Sequence, residues 1–83
     1  MIYLIDYDRR SGTLIEMRAF LDAQREVAQD ARLELELSLL AQGTNREVVL
    51  LEAANESDLR RTHGRYFETI EGLAARGVEL VNG

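Results

Sequence analysis

The chain has 83 residues, 15 of them acidic and 10 basic, with a net charge of −5, one histidine and neither cysteine nor proline. Thiolate chemistry, disulfides and cysteine/histidine zinc spacings are excluded, and so are Schiff bases and phosphate-loop lysines, because every basic residue is an arginine. So short a chain buries a smaller share of its surface than a larger domain would, and its negative field repels polyanions at long range, which argues against a dedicated nucleic-acid binder.

The opening run Met1–Ile5 ends at Asp6, too short for a signal-peptide core, and no stretch approaches the roughly 20 apolar residues of a membrane span. No linker, low-complexity tract or charge block divides the sequence. The expectation is one cytoplasmic domain over residues 1–83, without a membrane segment.

Residues 2–7 (IYLIDY) and 13–20 (TLIEMRAF) are rich in branched and aromatic side chains and flank DRRSG, where Asp8 can close a turn and Gly12 can adopt positive φ. They predict a hairpin. Asp6, Asp8 and Glu16 would lie near one another on it. Their spacing defines no metal site, and acids at a hairpin ordinarily serve solubility.

The segment RLELELSLL, Arg32–Leu40, alternates leucine with polar residues as a half-buried strand does. It nonetheless lacks turn residues on its N-terminal side, since no glycine, proline or asparagine occurs from Asp22 to Gln42. Leucine and glutamate are strong helix formers, and Arg32 stands four residues from Glu36, a helical ion-pair spacing. Residues 22–41 are therefore read as a helix with two apolar stripes: Val27, Ala28, Ala31, Leu35 and Leu39 on one, and Leu33, Leu37 and Leu40 opposite. The alternative, a short helix and then a strand turned by AQGTN, would give ββαββα.

REVVLLEA, after Gly43 and Asn45, is a continuous apolar run with polar ends, as in a strand buried on both faces near the middle of a sheet. Asn55 or Ser57 can cap a second helix with Leu59, His63, Tyr66, Phe67, Ile70, Leu73 and Ala74 on one stripe and Gly77 as terminator. The closing VELV could add an edge strand. The expected fold is α+β, ordered ββαβα, with a three-stranded sheet covered on one face by both helices through a right-handed crossover.

The densest chemistry lies in LRRTHGRYF, Leu59–Phe67. Arg60, Arg61 and Arg65 beside aromatics could hold an anion, a nucleotide or RNA. Helical spacing to Glu56, Asp58 and Glu68 instead describes an ordinary solvated face. His63 on an apolar stripe could be a general base or ligand in a small enzyme, but a buried polar histidine satisfied by a carbonyl or carboxylate is the simpler reading. Gly64 lowers helix propensity without local reason, unless another backbone approaches closely there.

EVVLLEA, an acidic cap and LRRTHGRYF together resemble small uncharacterised bacterial proteins with a THxRYF-type C-terminal helix. The resemblance covers roughly the C-terminal half. It implies a conserved domain of unknown role, and supplies neither an activity nor catalytic residues.

One helix face covers the sheet, so Leu33, Leu37 and Leu40 have no partner within this fold, and Tyr3, Ile5 and Tyr7 form a second surplus on the far side of the first strand. Three exposed leucines are of the size that marks interaction sites. The expectation is a non-enzymatic protein without cofactor or metal, acting as a homodimer or on a protein partner through those leucines. In the competing monomer, residues 43–46 or the C-terminal tail cover them.

Overall fold

A computed structural model describes residues 1–68 of the chain. Its elements run β1 (Ile2–Asp8), β2 (Thr13–Phe20), a 3-10 turn (Asp22–Gln24), α1 (Arg25–Ala41), β3 (Glu47–Glu52), α2 (Glu56–Thr62) and a second 3-10 turn (Gly64–Phe67). The sheet order is β2-β1-β3, with β1 antiparallel to both neighbours. The order is the expected α+β ββαβα. The suggested edge strand at VELV and the helical positions Ile70, Leu73, Ala74 and Gly77 lie outside the described residues.

The β1–β2 hairpin closes through its turn chemistry. The Asp8 carboxylate accepts the Arg10 amide at 2.9 Å, and Gly12 takes φ +65°, a left-handed conformation that costs a residue with a Cβ. Asp6 pairs with Glu16 and Tyr7 with Leu14, so Ile15 is an extra, bulged residue on β2.

Residues 25–41 are helical, so the ββαββα alternative falls. The decision is made at the C-terminus of α1. The Gly43 amide donates to the Leu40 carbonyl and the Thr44 amide to that of Leu39, with Gly43 at φ +67°. This paired closure satisfies carbonyls that a helix end leaves orphaned, and it requires a left-handed residue where glycine stands. The inner face of α1 places Ala28, Ala31 and Leu35 against Ile2, Leu4, Phe20, Val48 and Leu50. Val27, expected on that stripe, is 53 % exposed: it precedes Ala28 by one residue, about 100° around the helix, and so turns away from the sheet.

The two helices do not share a face. α1 covers the side bearing Ile2 and Leu4, while Leu59 of α2 and Tyr66 of the second 3-10 turn pack with Tyr3, Ile5 and Tyr7 on the other. Strands about 4.8 Å apart make a three-stranded sheet roughly as wide as one helix of about 10 Å diameter, so each face has room for one. The expected surplus of Tyr3, Ile5 and Tyr7 is thus core.

Two further expectations change. β3 lies beside β1 alone among the described residues and is half-buried rather than central; the strand buried on both faces is β1. The second helix is short. Asn55 caps it by accepting the Asp58 amide at 2.8 Å, but it ends at His63, whose φ −128° and ψ 45° leave the helical region. Gly64 therefore opens the 3-10 turn instead of sitting inside a helix, and a Cβ there would meet nothing within 4 Å, so no backbone crowds it.

Candidate functional site

The outer face of α1 leaves a stripe of apolar surface uncovered; Ile15, Leu21 and Val27 are exposed apolar residues off that stripe. Leu33, Leu37 and Leu40 are 54 %, 56 % and 77 % exposed, spaced four and then three residues apart on one stripe. The C-terminal tail of the competing monomer lies outside the described residues, and residues 43–46 do not cover the leucines. That loop instead frames a depression of about 310 Å³ lined by Glu36, Leu39, Leu40, Thr44, Asn45, Arg46 and Val48, so the leucine stripe runs into a shallow recess at its C-terminal end. Alternation in sequence became two helix faces because residues two apart are about 200° apart on a helix, almost opposite.

Charge on this helix is unevenly answered. Arg25 pairs with Glu52, and Arg32 Nε lies 3.3 Å from Glu36 Oε1. Glu26, Asp30 and Glu34 are exposed and make no ion pair among the described residues. Glu26 and Asp30 continue the leucine stripe toward the N-terminus of α1, and Glu34 flanks it.

The three arginines of the second helical segment each have a carboxylate. Arg60 reaches Glu56 at 3.2 Å and lies over the Phe67 ring, 4.4 Å from its centroid. Arg61 reaches Asp58 at 3.4 Å, and Arg65 reaches Glu47 at 2.5 Å while covering the Tyr66 ring. The structure gathers Arg65 into a cluster with Glu47 of β3, Tyr7 of β1, Arg9 of the hairpin turn and its neighbour Tyr66, and leaves Arg60 and Arg61 in helical pairs. His63 is half-buried at the helix terminus, not in the centre of a helical stripe, because α2 stops there.

Two buried polar sites had little sequence signal. The first is Glu47, whose side chain is only 7 % exposed. It accepts the Tyr66 hydroxyl, Arg65 Nη2 at 2.5 Å and Arg9 Nε at 2.8 Å, while Tyr66 packs edge-on to Tyr7 with centroids 5.2 Å apart. The Tyr66 hydrogen bond, with the two arginines, holds the Glu47 carboxyl below its ordinary range despite burial. Burial and the adjacent Glu47 carboxylate push the Tyr66 hydroxyl up. This arrangement ties the 3-10 turn to β3 and to the hairpin. A polar residue at the end of an apolar run reads as a strand terminus, so nothing in its spacing distinguished Glu47.

The second is Asp6, 2 % exposed in the central strand on the α1 side of the sheet. Arg46 Nε approaches Asp6 Oδ1 at 3.0 Å as an ion pair, yet the angle makes no hydrogen bond and both atoms lack another partner among the described residues. Burial pushes the Asp6 carboxyl up; Arg46 opposes this, and Glu16 and Asp8 add to it. Asp6, Asp8 and Glu16 do not converge: among the described residues no three acidic or histidine side chains are placed to hold a metal ion. Arg46 also borders a second depression, of about 320 Å³, with Asp8, Arg10, Gly43, Thr44 and Asn45. No helix of the described residues is long and apolar enough to cross a membrane.

No family model, curated protein or solved structure matches this chain.

Proposed function

We propose that the protein is a non-enzymatic cytoplasmic binding protein that works by association, with a second copy or another protein, through the outer face of α1. The observation carrying this reading is the exposure of Leu33, Leu37 and Leu40 on a helix whose opposite face already covers the sheet. A lone exposed leucine needs no explanation, whereas three in one stripe, running into a recess, form the kind of patch that partners cover. The arginine segment offers less, because Arg60, Arg61 and Arg65 are engaged by carboxylates of the same chain.

The test is sedimentation velocity with circular dichroism on the wild type and Leu37→Glu, over a concentration series and with an added helical probe peptide. An equally folded variant that loses every association made by the wild type is expected. Unfolding of the variant would place Leu37 in a core and remove the reading. A wild type that stays monomeric and binds no helical probe would remove it as well.

A further inference from the structure

Resting on that reading, we infer that the occupant of the α1 face is a basic amphipathic segment of a different protein: apolar side chains on Leu33, Leu37 and Leu40, and arginine or lysine over Glu26, Asp30 and Glu34. The argument is one of charge complementarity and area. A second copy of the chain fits the leucines but not the acids. In an antiparallel two-fold pairing through Leu37, the leucines meet one another, while Glu26 and Asp30 project past the end of the other copy's α1, onto its loop 42–46. The cation there, Arg46, already faces Asp6. In a parallel pairing, Glu26 and Asp30 meet their own copies at the same height, and like charges face each other across the contact.

Neither pairing answers three carboxylates that no arginine of the described chain answers, and each copy brings a further net charge of −5. Area points the same way. Three leucines on one helix offer a few hundred Å² of apolar surface, against the roughly 800 Å² per partner of a stable protein–protein interface. A single helical segment is better matched to a stripe of this size, anchoring at helical spacing and drawing steering and selectivity from the flanking acids. The recess beside Leu40, with Leu39 and Val48 in its wall, extends the apolar contact by one more side chain. The acids also disfavour an anionic lipid surface, which would meet the leucines and the carboxylates together.

Two labelled model helices of the same length as α1 test this, sharing one leucine triad and differing only in having lysine or glutamate at every flanking position. Binding is followed by fluorescence anisotropy, and its location by amide shifts of the full chain. The lysine helix is expected to bind and to shift residues 26–40. That binding should weaken roughly tenfold on Leu37→Gln, and comparably for the triple variant Glu26→Gln, Asp30→Asn, Glu34→Gln. Added salt should weaken it too, whereas Glu16→Gln with Glu56→Gln, which remove the same kind of charge elsewhere, should leave it unchanged.

Equal binding of both helices, shifts centred away from α1, or an equal loss in the control variant would overturn the inference. So would a wild-type dimer that Leu37→Glu dissociates and that no lysine helix displaces; a second copy would then own the face, and the proposed function would stand. A face that attracts neither helix nor a second copy would end both readings.

Discussion

Arg46→Ala removes the cation that, among the described residues, opposes the burial of Asp6, and its cost should depend on pH in a defined direction. Asp6 is 2 % exposed, and its carboxyl lies above the ordinary value of 3.8 even with Arg46 beside it. A carboxyl raised by folding favours the folded state most when protonated, so its contribution is complete below 3.8 and is lost as pH rises through the folded value. Without Arg46 that folded value moves higher, and the gap between variant and wild type should open as pH rises. Breaking a buried ion pair costs about 3–5 kcal/mol where the remaining charge stays dry. The Arg46 side chain is 22 % exposed, so part of its attraction is screened and about 2–3 kcal/mol at pH 7 is the appropriate expectation.

For a domain of this size such a loss lowers the thermal midpoint by roughly 8–24 °C. Urea unfolding followed by far-ultraviolet circular dichroism at pH 7 and near pH 3.5 measures it, and the variant and the wild type should converge at the lower pH. Asp6→Val combined with Arg46→Leu, which removes both charges, should cost less than Arg46→Ala alone. An equal loss at both pH values would show that Arg46 acts only through the packing of its stem. A loss below about 0.5 kcal/mol at pH 7 would show that Asp6 is solvated, and the reasoning would fail.

Glu47→Gln is expected to have the opposite pH signature: its carboxyl is held below the ordinary range, so its contribution is present above about 4.5 and is lost as pH falls through the lower folded value. The variant should be about 1–2 kcal/mol less stable at pH 7, with the difference shrinking in acid; a constant difference in urea titrations would refute the charge-based account. Gly43→Ala should cost about 1 kcal/mol through its φ of +67° alone, since a Cβ there meets nothing within 4 Å, whereas Gly64→Ala, with neither positive φ nor a close neighbour, should change thermal stability by less than about 0.5 kcal/mol.

Sequence alone determined the local elements, because their causes are local. Asp8 and Gly12 specify the hairpin turn through a side-chain acceptor and a left-handed backbone. Gly43 specifies where α1 stops, and the absence of turn residues before Arg32 made a helix of an alternating pattern. The outward leucines were legible for the same reason: once the segment is helical, Leu33, Leu37 and Leu40 must oppose the stripe that covers the sheet.

What required the tertiary structure was the side of the sheet on which each element lies and the partner each charge finds. Tyr3, Ile5 and Tyr7 alternate as an exposed face or a second core would, and only the placement of Leu59 and Tyr66 opposite α1 made them core. α2 ends at His63, and beyond it Tyr66 hydrogen-bonds Glu47, a partner 19 residues earlier that no helical spacing implies. Asp6 and Arg46 meet over a still longer separation, set by the β1–β3 register: Asp6 lies opposite Val48, and Arg46, two residues earlier, falls on the same face. Periodicity records which side of its own axis a residue occupies; contact between distant segments depends on how those axes pack, and that information enters only with the assembled core.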